Sequence, residues 1–231
     1  MREETPLMAY QGALLLDLDS TLLDTAADFI HVIQSMQKED GIEATDAQHI
    51  RNTVSNGARA LVRLAWRIDD DHPSFQTKLD SLLDRYEEEL GNNAQLFSGF
   101  DTLLPSLEEQ RIAWAIVTNK PWRFTEPLLH RLHIQASSNV VICPDHVTHR
   151  KPHAEPLLLA AEQLQLTAKQ CIYAGDHRRD IESAQNANMK SIACGFGYIP
   201  EDDDIKTWNA SIIANNVNEL GHFVKNYFKI K

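Results

Sequence analysis

A short apolar run that ends in two acids constrains the fold of this chain more than any other feature. Residues 13–16 contain no polar side chain and lead directly to Asp17 and, two residues later, to Asp19. An unbroken apolar run of this length is typical of a strand buried on both faces of a parallel sheet. Functional groups gather beyond the carboxyl ends of such strands, which is where both acids would emerge. The pattern therefore predicts a buried first strand with a polar site at its end.

The two acids also indicate that a cation lies near them. Carboxylates that meet at a buried strand end repel each other and lose hydration, so a cation or a shifted pKa must offset that cost. A simpler interpretation stays open at this point, in which Asp19 or Ser20 caps a helix after an ordinary polar turn.

Charge and composition argue against several classes of protein. The chain has 231 residues, of which 43% are hydrophobic, and a formal net charge of -11. This charge argues against binding to nucleic acid or to an anionic membrane. Because the protein as a whole repels anions, an anionic substrate would need a cation in the site itself. The sequence has no run of about 18 apolar residues, so we expect a cytoplasmic protein. The first seven residues predict a disordered tail, which makes Met8 an alternative start to Met1.

Three cysteines support the same location. Cys143, Cys171 and Cys194 lie within or at the end of apolar runs. Their odd number and unpaired spacing predict buried free thiols in a reducing compartment, with neither disulfides nor cysteine-bound zinc.

The chain divides into a helical block and a later region in which helices and strands alternate. The block has amphipathic helical patterns at residues 27–37, 46–65 and 74–90 and no convincing strand. From residue 97 onward, strands are predicted at 112–117, 140–143, 171–174, 191–194 and 211–213, and helices at 102–110, 123–132, 155–164, 181–187 and 217–228. This alternation predicts an α/β fold with a doubly wound parallel, Rossmann-like sheet.

The helical block follows the first strand, so we interpret it as an inserted all-helical cap domain. The expected α/β core comprises residues 8–24 and 97–231, and the expected cap comprises residues 25–96. An insertion that leaves from the carboxyl end of a strand can cover a ligand bound there. A helical extension without a catalytic part is the alternative.

Polar groups follow three later segments in the same way as the first. Thr118 comes directly after the second apolar run, Lys151 lies after the third, and Asp176 and Asp180 follow the fourth. Carboxyl ends of parallel strands meet at one edge of a sheet, so these groups should converge on one crevice with the first two acids. Each motif alone is as typical of a turn as of a site, and their joint occurrence favours a site.

This set of groups suits the transfer of a phosphoryl group. A carboxylate such as Asp17 can attack phosphorus only if a divalent cation screens the repulsion between the two anions. Carboxylates at Asp17 and Asp176 and a backbone carbonyl at Asp19 are the hard oxygen ligands that Mg²⁺ prefers. Lys151 and Thr118 could bind the phosphoryl oxygens. The carboxyl group of Asp19 could protonate the leaving oxygen and then deprotonate water.

These residues resemble the four motifs of the haloacid dehalogenase superfamily. The motifs are the D-x-D-x-T stretch at 17–21, Thr118, Lys151 and the G-D-x-x-x-D stretch at 175–180. The resemblance covers nearly the whole chain, including a helical cap after the first strand. It implies that the threonine and the lysine hold the phosphoryl group of the substrate.

The resemblance also implies a role for each acid. Asp17 would be the nucleophile that forms an aspartyl-phosphate, and Asp19 would be the acid and base. Asp17, Asp176 and the carbonyl of Asp19 would bind Mg²⁺. Asp180 would support the metal through its waters or through Lys151.

Two positions depart from the family pattern, which most often has glycine at both. Ser20 is small and compatible with a turn, so we expect a minor adjustment of geometry there. Asn188 tolerates the left-handed conformation that follows a helix, so the helix should still end at this point.

Several segments point to particular branches of the superfamily. Residues 22–25 and 118–121 resemble phosphoglycolate phosphatases. Residues 55–59, 142–146 and 175–180 are similar to a branch that acts on N-acetylmuramic acid 6-phosphate. The resemblance thus implies hydrolysis of a small phosphorylated metabolite such as 2-phosphoglycolate or this amino-sugar phosphate.

Other activities of the superfamily differ in how well the sequence fits them. True dehalogenases lack an acid at the position of Asp19, and a phosphonate hydrolase would need a reactive cap lysine, for which Lys38 and Lys78 have no supporting motif. A β-phosphoglucomutase-like phosphotransferase shares all four motifs and stays an alternative. A non-catalytic sensor of a phosphorylated ligand is another, since a fold does not imply a function. We expect a monomer or a homodimer.

Specificity should reside in the cap, because the core handles only the phosphoryl group. Ser55, Asn56 and Gly57 predict a helix-entry loop that reaches the substrate, with Arg59 close behind it. A solvent-exposed helix face is the alternative for Arg59. Asn119, beside the phosphate-binding threonine, is a candidate substrate-binding residue of the core. Further candidates near the mouth of the pocket are Trp122, Arg123 and Arg178.

Overall fold

The structure, a computed structural model, describes residues 10–200 and 202–230. The expected tail and both candidate starts, Met1 and Met8, lie outside these ranges. In the described part of the chain, no helix combines the length and the apolar character needed to cross a membrane.

The strands give the predicted sheet. They are β1 (Gly12–Leu16), β2 (Leu23–Asp24), β3 (Gln95–Leu96), β4 (Ile112–Val117), β5 (Val141–Ile142), β6 (Cys171–Gly175), β7 (Lys190–Cys194) and β8 (Ile212–Ala214). Six of the strands in the described residues form one parallel sheet in the order β5-β4-β1-β6-β7-β8. The strand that leads into the two acids is therefore central, between β4 and β6.

The helices follow the predicted alternation. They are α1 (Ala26–Glu39), α2 (Ala47–Thr53), α3 (Ala58–Trp66), α4 (Phe75–Glu89), α5 (Phe100–Glu109), α6 (Trp122–Arg131), α7 (Glu155–Gln163), α8 (Arg178–Asn186) and α9 (Val217–Phe228). Helices α1 to α4 form the inserted cap, and the others alternate with the strands. The doubly wound α/β core with an all-helical cap is confirmed.

Side chains of β1 explain why its sequence has no polar residue. Leu14 and Leu16 pack into the core on one face of the sheet, whereas Ala13 and Leu15 pack into the core on the other. All four are fully buried. Helices on both faces of the sheet exclude water from this strand, so only its carboxyl end reaches a site.

Two details of the predicted helices were wrong. The pattern at residues 46–65 is interrupted, because a 3₁₀ turn at Val54–Asn56 is followed by Gly57 with a φ of 87°. Helix α8 begins at Arg178, three residues before the predicted start at 181, so Asp180 lies within its first turn and His177 is the N-cap. Asn188 has a φ of 55°, which confirms the left-handed stop expected there.

A short ribbon that the sequence did not predict joins the cap to the core. Strands β2 and β3 pair antiparallel, with Leu23 opposite Leu96 and Asp24 opposite Gln95. Since β2 precedes α1 and β3 follows α4, the chain enters and leaves the cap through neighbouring strands. Residue 25, where we predict that the cap begins, directly follows β2, whereas residue 96, where we predict that it ends, is the last residue of β3.

Candidate active site

Four predicted residues converge beyond the carboxyl ends of the central strands. Asp17 follows β1 and Asp176 follows β6, and the two strands are paired in the sheet. Lys151 comes from the segment between β5 and α7, and its Nζ atom lies 3.0 Å from Oδ1 of Asp17. The same Nζ atom lies 2.8 Å from Oδ1 of Asp180. We call these four residues the site floor.

Lys151 is anchored entirely by the core. Its buried Nζ atom donates to the Tyr173 hydroxyl at 2.6 Å and to the Val117 carbonyl at 3.1 Å. Burial opposes the charge of this lysine, but the carboxylates of Asp17 and Asp180 outweigh that effect and raise its pKa. The ammonium group is therefore a permanent, rigidly held cation.

Asp17 keeps one oxygen free. Its Oδ1 atom accepts from the backbone N–H of Leu18 at 2.8 Å and faces Lys151. No hydrogen bond or ion pair from the described residues engages its Oδ2 atom. Burial is the main reason that the pKa of Asp17 rises to about 6, and this value leaves the carboxyl mostly ionised at neutral pH. An ionised, uncommitted oxygen at a strand end can act as a nucleophile.

Asp176 is a second desolvated acid in the site floor. Its Oδ1 atom accepts from the Thr21 hydroxyl at 3.2 Å, and its Oδ2 atom accepts from the Ser55 hydroxyl at 2.8 Å. Burial raises the pKa of Asp176 to about 7, with a further rise from Asp180 and Asp17. A cation bound between these acids would relieve both effects.

The donor set fits a hard divalent cation. Asp17, Asp176 and Asp180 each offer a carboxylate oxygen, and these atoms lie within 4.8 Å of one another. The carbonyl oxygen of Asp19 accepts no hydrogen bond from the described residues. Asp180 differs from the others, because Lys151 engages its Oδ1 atom and the backbone N–H of His177 donates to its Oδ2 atom at 3.0 Å. Its contacts suit the orientation of the lysine better than direct metal ligation.

Asp19 lies in a network that the sequence analysis missed. Its carboxylate accepts from the Thr25 hydroxyl at 2.6 Å and pairs with Nζ of Lys120 at 3.1 Å. Lys120 also donates to the hydroxyl of Tyr86, on cap helix α4, at 2.7 Å. Burial opposes the charge of Lys120, yet Asp19 and Tyr86 raise its pKa overall. A lysine two residues beyond Thr118 was an available signal, whereas no motif marks Tyr86.

Thr118 and Asn119 have different tasks at the end of β4. The Thr118 side-chain oxygen accepts from the backbone N–H of Lys120 at 3.1 Å, so its hydroxyl proton is available for a ligand. Asn119 donates to the Lys151 carbonyl at 3.1 Å and accepts from the Lys151 N–H at 3.2 Å. Asn119 thereby fixes the backbone that presents the lysine.

The cap covers the site floor and encloses a cavity of about 650 Å³. The predicted cap residues Ser55, Asn56, Gly57 and Arg59 all line this cavity, as do Asp17, Asp19, Thr118, Asn119 and Lys151. Asn56 reaches the core as well, with its Oδ1 atom 3.1 Å from Nε2 of His177. A cavity of this size matches pockets that enclose small molecules.

Residues 14–194 match the family of haloacid dehalogenase-like hydrolases. The chain belongs to this family. The matched stretch includes the strand-end acids, the hydroxyl of Thr118 and Lys151, and the chain has the α/β core and helical cap that the resemblance implies.

Relatives narrow the class of this hydrolase. The chain is 42% identical over 208 residues to N-acetylmuramic acid 6-phosphate phosphatase from Pseudomonas aeruginosa. The alignment covers 90% of this chain and 92% of that protein. It is 38% identical over 213 residues to a phosphoglycolate phosphatase from Xanthomonas campestris pv. campestris, with 92% and 96% covered. Like these relatives, it is a phosphoric monoester hydrolase.

A solved structure shares the fold. The structure of a predicted phosphoglycolate phosphatase from Haemophilus somnus 129pt superposes with a TM-score of 0.79 and 22% identity. The superposition covers 94% of this chain and 99% of the chain in that structure. At this identity the likeness concerns the arrangement of core and cap alone.

Two of the cap arginines of the hydrolase are held by the same acid. Arg59 donates to Asp70 at 2.8 Å, and Arg63 pairs with the other oxygen of the same carboxylate. Both arginines line the cavity and remain about half exposed, with 50% and 44% of their side-chain surface accessible. They supply positive charge at the cavity wall.

Arg179, which the sequence analysis did not select, lines the cavity, whereas Arg178 does not. Arg178 pairs instead with Asp203 at 2.8 Å. Arg179 donates to the backbone carbonyl of Ser55 at 3.1 Å and so joins core and cap. Neighbouring residues of a helix point about 100° apart, and a sequence alone does not fix which one faces a site.

Two other candidates lie beside the cavity without lining it. Trp122 is 39% exposed and packs against the ring of His146. Arg123 pairs with Glu87 of cap helix α4 at 2.6 Å. Their contacts are those of surface packing and of a bridge between core and cap.

Ser20 adapts to the position where the family most often has glycine. Its φ is 66°, a conformation that disfavours most side chains. The serine oxygen accepts from the backbone N–H of Tyr198 at 2.6 Å, which adds a contact that glycine could not make. The adjustment leaves Asp17 and Asp19 on the same crevice.

Proposed function

We propose that this hydrolase is a Mg²⁺-dependent phosphatase that forms an aspartyl-phosphate at Asp17. The observation that carries the proposal is the uncommitted Oδ2 atom of this residue, beside the ammonium group of Lys151 and the carboxylate of Asp176. A carboxylate in that position can attack phosphorus when positive charge surrounds the phosphoryl group. The substrate is a small phosphorylated metabolite of the cytoplasm.

The first step transfers the phosphoryl group to the enzyme. Asp17 Oδ2 attacks phosphorus in line with the leaving oxygen, and a new P–O bond forms as the ester P–O bond breaks. Asp19, in the protonated form that this step requires, gives its proton to the leaving oxygen, which departs as an alcohol. Lys151 and Thr118 bind the remaining phosphoryl oxygens and stabilise the charge that they carry.

The second step returns the enzyme to its starting state. Asp19, now ionised, takes a proton from a water molecule as the water oxygen attacks phosphorus. The bond between phosphorus and Asp17 breaks, inorganic phosphate is released, and Asp19 holds a proton again. Each carboxyl group thus ends the cycle as it began.

Asp17, Asp176 and the carbonyl of Asp19 would hold Mg²⁺. The ion would supply the positive charge that screens the nucleophile from the phosphate. Asp180 contributes by holding Lys151, through the ion pair between Oδ1 and Nζ at 2.8 Å.

For the substrate we favour N-acetylmuramic acid 6-phosphate over 2-phosphoglycolate. The relative that is 42% identical over 90% of the chain is named N-acetylmuramic acid 6-phosphate phosphatase. A cavity of about 650 Å³ is large for a two-carbon acid and suits a substituted sugar phosphate. Cap residues Arg59 and Arg63 and core residue Arg179 line it, and they would attract an additional anionic group of the substrate.

The test is phosphate release in Mg²⁺ from N-acetylmuramic acid 6-phosphate, 2-phosphoglycolate and several sugar phosphates, with Asp17→Asn as control. We expect the highest kcat/KM for the amino-sugar phosphate and loss of activity on chelation. A preference for 2-phosphoglycolate would overturn the choice of substrate but not the class. Isomerisation of a hexose phosphate without phosphate release would indicate the mutase. Binding without turnover of any compound would indicate the sensor.

A further inference from the structure

A second group of metal-binding side chains lies on the segment that presents Lys151. His149, His153 and Glu155 each offer one ligand atom, and these atoms lie within 4.8 Å of one another. The two histidines flank Lys151 in sequence, but they are exposed, whereas the lysine is buried. None of the three belongs to the lining of the substrate cavity. The group is therefore separate from the proposed Mg²⁺ site.

Distances between the donor atoms match the spacing that a tetrahedral ion requires. Nδ1 of His149 lies 3.0 Å from Oε2 of Glu155, and Nδ1 of His153 lies 3.9 Å from the same oxygen. Bonds of about 2.0–2.1 Å in a tetrahedral zinc site place neighbouring ligand atoms about 3.3 Å apart. The two observed distances bracket this value, so small side-chain rotations suffice to bring the atoms onto one ion.

Glu155 is already oriented toward the two rings. Its Oε1 atom accepts from the backbone N–H of Thr148 at 2.8 Å, and its Oε2 atom accepts from that of His149 at 2.9 Å. These bonds, chiefly the one from Thr148, lower the pKa of Glu155, so the carboxylate is ionised at neutral pH. The backbone therefore fixes the anionic ligand before any ion arrives.

The two imidazole rings lie side by side. Their centroids are 4.6 Å apart, with an angle of 34° between the rings. Nδ1 of His153 accepts from the backbone N–H of Glu155 at 3.1 Å, so this nitrogen carries a lone pair rather than a proton. A metal ion would replace that single hydrogen bond with a coordinate bond.

We propose that His149, His153 and Glu155 form a Zn²⁺ site, with water in the fourth position. Two imidazoles and a carboxylate suit zinc, whereas Mg²⁺ prefers oxygen ligands. The net charge of -11 favours the approach of cations to this protein. The ligand chemistry thus assigns two different ions to two sites.

A bound ion would tie together the two ends of the segment that carries Lys151. Asn119 already holds this segment to the end of β4, and the Ser183 hydroxyl donates to the carbonyl of His153 at 2.7 Å. Zinc would add a third fixed point, on the exposed side. Because the folded chain would bind zinc and the unfolded chain would not present this geometry, zinc should raise the melting temperature.

The test is a Zn²⁺ titration of the whole protein in excess Mg²⁺, which keeps the acids of the site floor occupied. Isothermal titration calorimetry should give one zinc site, and His149→Ala and His153→Ala should each weaken it by at least about tenfold. His222→Ala removes an exposed histidine of helix α9 and should leave the affinity unchanged. All four proteins should melt alike without zinc, and at the same zinc concentration the wild type and His222→Ala should gain more stability than the other two variants.

Two outcomes would overturn this proposal. Wild-type affinity in the double variant His149→Ala, His153→Ala would show that zinc binds elsewhere. Loss of the zinc site in Asp176→Asn would assign the ion to the site floor. Neither outcome depends on phosphatase activity, so the zinc site and the proposed function fail or hold independently.

Discussion

Lys151 and Lys120 are both buried cations, and each is paired with an acid that we propose to be catalytic, but different parts of the protein anchor them. Every group that holds Lys151 belongs to the core, namely Asp17, Asp180, Tyr173 and Val117. Lys120 instead bridges Asp19 of the core and Tyr86 of the cap. The core alone therefore positions Asp17, the proposed nucleophile, whereas the position of Asp19, the proposed acid and base, also depends on where the cap lies.

This difference separates two kinds of contribution to catalysis. Changes at the site floor should remove chemistry or fold stability outright. Changes where cap and core meet should tune the rate or the affinity for Mg²⁺. Substitutions at the two places should therefore differ in the size and the kind of their effect.

Removal of the nucleophile should have the largest effect. Asp17→Asn leaves the shape of the site floor unchanged but removes the charged oxygen that attacks phosphorus. Turnover should fall by at least about 10⁴-fold, as for other single nucleophile substitutions. Phosphate release and circular dichroism check this result, with Asp101→Asn on the surface of α5 as the matched control. Substantial activity in a folded Asp17→Asn protein would refute the mechanism.

Lys151→Met should damage stability as well as activity. It leaves Asp17 and Asp180 close together without their cation, and breaking a buried pair in this way destabilises a protein by about 3–5 kcal/mol. Lys120→Met is the comparison, since its partner Asp19 keeps 20% of its side-chain surface exposed, against 0% for Asp180. Urea denaturation measures both variants. An equal decrease in the free energy of unfolding in both variants would contradict the proposed difference between the two lysines.

The site floor should make the metal-free protein less stable as pH rises. The pKa of Asp176 is about 7 in the folded protein, whereas an unsheltered aspartate in the unfolded chain has a pKa near 3.8. Between these values the folded state holds a proton that the unfolded state has released, so stability decreases from about pH 4 to pH 7. Thermal melts in a chelator should show this slope in the wild type and a smaller one in Asp176→Asn. Excess Mg²⁺ should abolish it, and a slope that persists unchanged would contradict the proposed site.

Tyr86→Phe tests the contact between cap and acid. Phenylalanine preserves the stack on Phe29, whose ring centroid lies 3.8 Å away, but removes the oxygen that accepts from Lys120. Loss of one such hydrogen bond corresponds to about 1 kcal/mol, so we expect kcat to fall about five- to tenfold with KM little changed. Tyr227→Phe removes a distant hydroxyl and serves as control. A change confined to KM would show that Tyr86 contacts substrate instead.

Ser55→Ala should have the smallest effect. The Ser55 hydroxyl helps to lower the pKa of Asp176, so its loss leaves a proton that Mg²⁺ must displace. The apparent affinity for Mg²⁺ near pH 7 should weaken by about two- to fivefold, as a fraction of one pKa unit implies. Activity measured against Mg²⁺ concentration checks this, with Ser106→Ala on α5 as control. Unchanged dependence on Mg²⁺ would mean that the contact does not influence the metal site.

The sequence predicted the site floor because parallel sheets impose strong rules. An unbroken apolar run such as residues 13–16 can only be buried, and strands of one sheet bring their carboxyl ends to one edge. Asp17 and Asp176 were therefore expected to meet, although they are 159 positions apart in the sequence. The position of Lys151 followed from the same reasoning.

Contacts between cap and core could not be predicted in this way. Packing of helices depends on which faces meet, and a helix sequence leaves that choice open. Tyr86 lies in the last turn of α4, and nothing in its sequence neighbourhood marks it as a partner of Lys120. The selection of Arg178 rather than Arg179 shows the same limit, because a shift of one residue turns a side chain away from the cavity.

The ribbon of β2 and β3 places the two ends of the cap side by side, so the cap can change in evolution without a change in the core. Paired strands lie about 4.8 Å apart, so the cap is spliced into the chain at two points that almost touch. A long insert between adjacent points adds little loop-closure entropy, which grows only slowly with length. The contiguous stretch of coding sequence for the cap can thus be lengthened, shortened or exchanged while the sheet and its site stay intact. A lineage could acquire new substrates by such an exchange.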